Sequence, residues 1–235
     1  MVLPESVNAV KTDIKVRVKF SKTGSLKFIS HLDLNRTMQS AFLRSKLPVW
    51  YSEGFNPHPR VAFTPPLSVG VSSLTEFMDF KMVEEVEPET IVERLNASFP
   101  AGLRASLCYA PKAHFRDIKW SLYEIKFELS GNAPENIEEK TKAALSADEI
   151  FIEKYSKKGE PKIVNIAQGI RFCSSVLDGN VFTVNVKLSC DEMAFVNPKY
   201  IAEVLEKAMP ECFAGAENEV CRMEVYLADG ETLFA

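Results

Sequence analysis

With 235 residues, 46% of them hydrophobic and 26% charged, the chain has a globular composition and length enough for one large core or two small ones, which excludes a disordered protein. Its formal net charge of −4 speaks against a uniformly basic nucleic-acid binder. No apolar run approaches the roughly eighteen residues that cross a bilayer, and MVLPESVNAV has no basic segment followed by an apolar core, so a cytoplasmic protein without a membrane partner is expected.

Asp13–Phe20 alternates, with Ile14, Val16, Val18 and Phe20 on one face and Lys15, Arg17 and Lys19 on the other. That is the pattern of a half-buried strand with a basic outer face. Ser21–Ser25 turns, and Ser30 is placed to cap a helix with Asp33 at its third position. Leu34, Met38, Ala41 and Phe42 recur at helical spacing until Ser45, and Pro48 follows. Short extended segments at Val49–Tyr51 and Arg60–Phe63 flank a turn at Gly54–Pro59. Glu76–Met82 reads as a strand, Pro88 starts a helix with Ile91, Val92 and Leu95, and Leu103–Ala110 closes the unit.

Pro111–Arg116 marks a boundary, after which the order repeats. Trp120–Leu129 is a strand, Pro134–Ala147 a helix and Ile150–Tyr155 a short strand, followed by the basic turn Lys157–Lys162. Ile170–Leu177 and Val181–Leu188 are joined by Asp178-Gly179-Asn180, a hairpin signal. Asn197 precedes Pro198 at a helix start, with Tyr200, Ile201, Val204, Leu205 and Ala208 as the apolar face. Val220–Leu227 is the last strand. The expected fold is α+β: two tandem ferredoxin-like domains (β-α-β-β-α-β), residues 1–113 and 114–235, each an antiparallel sheet with helices on one face.

Charge is polarised along the chain. Between Lys15 and Arg60 there are nine basic residues against two acidic ones, leaving the remainder at −11. A molecule of this kind can dock on a polyanion with one face. The five cysteines show no repeated short spacing, and His31, His58 and His114 lie far apart without a carboxylate cluster, so neither a metal site nor a cofactor is expected.

Tyr51–Pro66, YSEGFNPHPRVAFTPP, packs aromatics, a turn glycine, four prolines, a histidine and an arginine into one shaped loop. This stretch, continued as P-P-L-x-V-G, and the earlier F-S-K-x-G-x-L-K-F-I-S-H-L-D-L together resemble the radical-SAM-linked family of bacterial proteins, a domain of unknown function (DUF2344). The motifs are strongest over residues 19–70. In the second half only KYSKKGEPKIVNI, Lys154–Ile166, resembles the family's basic segment. The resemblance implies a role around RNA or ribosome maturation, or as helper to a radical enzyme. Its implied partners are structured ribosomal or transfer RNA and a separate radical SAM enzyme or ribonuclease. The chain has no C-x-x-x-C-x-x-C cluster, so such an enzyme would be another protein.

The candidate RNA-binding set is Arg17 and Lys19 of the first strand, His31, Asn35 and Arg36 of the first helix, Tyr51, Phe55, His58 and Arg60 of the loop, and Lys157 and Lys158 of the basic turn. Arginine forks onto phosphate, an exposed aromatic stacks on an unpaired base, and a helix start favours an anion. Gly54 supplies a positive φ, while Pro57, Pro59, Pro65 and Pro66 stiffen the loop. The leading reading is an RNA-binding accessory protein. Its alternatives are a protein-interaction module that positions a substrate for a partner enzyme, and a metal-independent endoribonuclease using His31, His58 and Tyr51.

Overall fold

A computed structural model describes residues 14–129, 131, 133–155 and 159–235. Strand β1 (Ile14–Lys22) leads through a short 3-10 turn to α1 (His31–Ser45). The cap expected at Ser30 forms, its hydroxyl accepting the Asp33 amide at 3.1 Å. At the other end Lys46 takes the left-handed conformation that stops the helix before Pro48. Next come β2 (Ala62–Phe63), β3 (Ser72–Met82), α2 (Pro88–Ser98) and β4 (Leu103–Tyr109). Pro88 opens α2, where a missing amide proton is harmless.

The second half runs β5 (Trp120–Glu128), α3 (Ile137–Leu145), β6 (Phe151–Tyr155), β7 (Pro161–Asn165), β8 (Ile170–Asp178), β9 (Val181–Ser189), α4 (Lys199–Ala208), the short α5 (Pro210–Phe213) and β10 (Glu217–Tyr226). Asp178 pairs with Val181, so Gly179 and Asn180 form a two-residue loop, with Gly179 at a φ of 60°. One element here differs from the sequence expectation. The region of the basic turn holds a second strand, β7, which pairs with β6 as a ribbon of its own. Alternation is too weak over five mostly exposed residues to reveal it. Lys157 and Lys158 lie outside the described residues.

Seven strands form one sheet in the order β4-β1-β3-β10-β5-β9-β8, with β2 also on β3. All pairings are antiparallel except β3 with β10, a short parallel seam of Ser72 with Cys221 and Ser73 with Arg222. The result is a mixed α+β fold around one large, mostly antiparallel sheet. The seam makes that sheet continuous, where the sequence reading anticipated two. Side-chain alternation constrains faces, not edges, so edge-to-edge joining leaves no periodic signal.

Val16, Val18, Phe20, Met78 and Phe80 form one core with Leu34, Met38 and Phe42 of α1 and Ile91 and Leu95 of α2. Tyr123, Ile125, Phe127, Phe182, Val184 and Val186 form a second with Ile137, Ile201 and Leu205. A third, smaller cluster gathers Phe77 of β3, Ile118 of the connecting segment, Val225 and Phe234. Through it the connecting segment and the C-terminal tail cover β3 beside the seam. Among the described residues no helix is long and apolar enough to cross a membrane.

Candidate nucleic-acid interface and the junction cleft

The Pro-rich stretch is a hairpin projecting from the part of β3 that the short seam with β10 leaves unpaired. Val49 bridges to Met82 and Tyr51 to Pro59, and the chain rejoins the edge where Ala62 pairs with Asp79. His58 staples the tip. Its backbone amide donates to the Ser52 hydroxyl at 3.2 Å, and its carbonyl accepts from the Ser52 amide at 3.0 Å. The ring Nδ1 lies 2.9 Å from the Asn56 carbonyl. A carbonyl only accepts, so Nδ1 carries the proton. Gly54 adopts a φ of 128°, and the next residue, Phe55, stands fully exposed at the tip.

The predicted residues separate into three groups. Arg17 is 0% exposed. Its guanidinium donates to both Asp79 carboxylate oxygens, at 2.7 and 2.8 Å, and to the Ala113 carbonyl at 2.7 Å. It is sandwiched between the rings of Phe115 and Phe234, 4.6 and 4.5 Å from their centroids. Arg17 is therefore a structural ion pair and no part of a basic surface, because the connecting segment and tail roof over its face of β1. Lys19 is neutralised by Glu224 at 3.3 Å. Tyr51 is half-buried, with part of its ring against the first core, and Pro59 is buried beneath the hairpin.

His31 and Arg36 remain exposed on α1, Arg36 beside Asp33 at 3.4 Å. Asn35 is half-buried, and its side-chain oxygen has no hydrogen-bond partner. Of the catalytic candidates, Tyr51 and His58 come from facing arms of the hairpin, while His31 lies on α1 and meets Phe63 edge-to-face at 5.4 Å; Tyr51 packs on the core and His58 is committed to the hairpin.

Arg60 belongs to a different constellation from the one expected. It lines a cleft of about 510 Å³ with Trp50, Lys15, Lys81, Lys112 and His114. Arg60 and Lys81 each approach the Trp50 ring to 5.9 Å. Asp79 also faces this cleft, with its charge already matched by Arg17. Four cations thus line the cleft that holds the indole, two of them beside its ring. Trp50 escaped the sequence reading because it precedes the motif by one residue, and Lys81 and Lys112 lie outside the basic N-terminal stretch. The signal was present only as an isolated tryptophan beside a motif.

A second cleft, of about 680 Å³, opens where the two halves meet. His31, Phe63, Pro65 and Pro66 form one wall, and Phe115, Arg116, Met193 and Phe195 contribute to the other sides. Ala62 lines the first cleft and Phe63 the second, so β2 runs between them. Below His31 the second cleft adjoins a narrow recess holding Lys22, Ser30, Thr64 and Glu76. Lys22, Ser30, His31, Phe63, Pro65 and Pro66 all come from the two motif blocks, which the fold brings to one place.

A family described as an uncharacterized protein conserved in bacteria (DUF2344) matches residues 15–198. The chain belongs to the DUF2344 family. That match covers the motif blocks, both clefts' walls and most of the second half. No curated protein matches it. Among solved structures, this DUF2344 chain is similar to a chain in a crystal structure of a Cbf5-Nop10-Gar1 complex, at 14% identity and a TM-score of 0.45, covering 89% of this chain and 48% of that one. It is similar to one in the archaeal box H/ACA sRNP Nop10-Cbf5 complex, at 15% identity and 0.41, covering 91% and 48%. A protein from Galdieria sulphuraria described as unknown shares 12% identity at 0.26, covering 89% and 98%. The DUF2344 chain spans about half the length of the first two, and likeness at this level carries no functional argument.

Proposed function

We propose that this DUF2344 protein binds RNA through the Trp50 cleft. The observation that carries the reading is a cleft in which Trp50 shares the lining with Lys15, Arg60, Lys81 and Lys112, beside a hairpin that presents Phe55 to solvent. Cations supply sequence-independent attraction to phosphate, and flat rings supply stacking for unpaired bases. The role is accessory, in the maturation of ribosomal or transfer RNA or beside a separate radical SAM enzyme, and the setting is the cytoplasm. The strand orders β4-β1-β3-β2 and β10-β5-β9-β8 support reading the chain as two ferredoxin-like units, residues 1–113 and 114–235, fused along one edge.

Titration with a single-stranded and a structured RNA, followed by tryptophan fluorescence, tests the reading. Binding should quench emission and weaken steeply with salt, and Trp50→Ala should abolish most of it. Affinity indifferent to both salt and Trp50→Ala would overturn it. A protein-interaction role has one observation in its favour, the solvent-facing Phe55. Capture of a radical SAM enzyme that survives nuclease treatment and is lost in Phe55→Ala would establish that role.

A further inference from the structure

Lys22 is 3% exposed, yet its ammonium has no hydrogen bond or ion pair to any described residue. Its charged neighbours are Glu76 and Arg222. Both Glu76 oxygens have other partners: one accepts from Arg222 at 2.6 Å and the other from Thr64 at 3.1 Å. Two cations therefore share one carboxylate, leaving the recess with an excess positive charge. Burial of an unpaired ion is costly unless something supplies the counter-charge.

The recess that Lys22 lines also contains Ser30 and His31, the start of the fifteen-residue α1. The positive end of that helix adds to the attraction for an anion. Asp33, in the same first turn, is turned to Ser30 and Arg36, at 2.7 and 3.4 Å. The recess has a volume of only about 10 Å³, room for about one oxygen atom. It shares His31, Phe63, Thr64 and Pro66 with the 680 Å³ junction cleft, whose walls include Phe63, Phe115 and Phe195.

We propose that Lys22 and the start of α1 form an oxyanion subsite at the narrow end of the junction cleft. It takes one carboxylate or phosphate oxygen of a small ligand whose flat, apolar body lies among Phe63, Phe115 and Phe195. This subsite is independent of RNA binding at Trp50. The wide cleft accepts the body, the narrow recess admits only the oxygen, and the incoming anion supplies the charge that Lys22 lacks.

The test uses the full chain and two matched pairs of probes in isothermal titration: orotate against uracil, and uridine monophosphate against uridine. The anionic member of one pair should bind about tenfold tighter or more than its neutral partner, the scale of a charge-assisted hydrogen bond. An orotate preference identifies a carboxylate ligand, and a monophosphate preference a phosphate one. Lys22→Met should erase the preference, while Trp50→Ala should leave it intact. The wild-type chain labelled with carbon-13 at lysine Cε gives a reading that does not depend on a variant folding: the Lys22 signal should move on saturation with the preferred anion. Equal affinity within both pairs, a preference that survives Lys22→Met, or an unmoved Lys22 signal would each overturn the subsite.

Discussion

Arg222 of β10 reaches across the parallel seam to Glu76 of β3 at 2.6 Å, with both side chains buried. The same guanidinium donates to the Pro65 carbonyl at 3.0 Å, fixing the segment between β2 and β3. One arginine thus ties the last strand of the chain to the motif region of the first half. Buried pairs of this kind contribute through the penalty of breaking them, since either partner left alone is an uncompensated charge.

Arg222→Met should therefore destabilise the protein by about 3–5 kcal/mol, and Glu76→Leu by a similar amount. The double variant should lose less than either single one, because it removes both charges together. Urea unfolding of all three variants measures the coupling. Additive losses would mean that the pair is not a unit.

Arg17 and Arg60 separate structure from surface. Arg17→Met removes the hydrogen bonds to Asp79 and Ala113 and the cation between the Phe115 and Phe234 rings, so about 1–3 kcal/mol of stability should be lost. Arg60→Ala should leave the unfolding midpoint nearly unchanged. It should weaken RNA binding similarly across sequences and reduce the salt slope by about one. A stability loss in Arg60→Ala without a change in binding would reverse the two assignments.

This contrast shows what the sequence carried. The first strand was legible from alternation, yet alternation placed Arg17 and Lys15 on one face without saying what covers it. The cover comes from Ala113–Ile118 and Phe234, roughly a hundred and two hundred residues away, and no local pattern encodes that contact. The capped helix after Ser30, the helix at Pro88 and the Gly179 hairpin were legible because their chemistry is local. Among site residues, Arg60 was found for its place in the motif. Lys22 stands inside F-S-K as one more basic residue, since burial is invisible without the packing partner.

The tail that covers Arg17 is held by a turn at Asp229, whose carboxylate accepts from the Glu231 and Thr232 amides at 2.9 Å and from the Thr232 hydroxyl. These bonds, the Thr232 hydroxyl foremost, hold the Asp229 carboxyl down to about 2, from its ordinary value of 3.8. The folded value lies below the unfolded one, so this stabilisation is present above about pH 4 and is lost as pH falls toward 2. Asp229→Ala should lower stability at neutral pH and flatten the decline across that window. Thermal melts at pH 6, 4 and 2.5 check the sign.

Lys22 has the opposite linkage. Burial, the largest influence, lowers its value below the usual 10.5. A lysine whose folded value lies below its unfolded value penalises the folded state while it is charged in both. The penalty fades as pH rises through the folded value toward 10.5. Lys22→Met should accordingly stabilise the ligand-free protein at pH 7, and the gain should shrink by pH 10. Urea unfolding at both values decides it, and a gain independent of pH would place the effect in packing instead of charge.

The hairpin offers the last separation, between making a loop and using it. At Gly54 the φ of 128° excludes most side chains, although a Cβ there would meet nothing within 4 Å. Gly54→Val should thus strain the tip by about 1–3 kcal/mol without disturbing either core, and the global unfolding transition should survive. His58→Ala removes the Nδ1 contact to Asn56 and should loosen the tip in the same way. Phe55→Ala leaves the tip intact and removes only the exposed ring. If Phe55 stacks on RNA, all three variants should lose affinity, and Phe55→Ala alone should do so without faster proteolysis between Ser52 and His58. Unchanged affinity in Phe55→Ala beside a loss in the other two would mean that the hairpin supports the Trp50 cleft and makes no contact of its own.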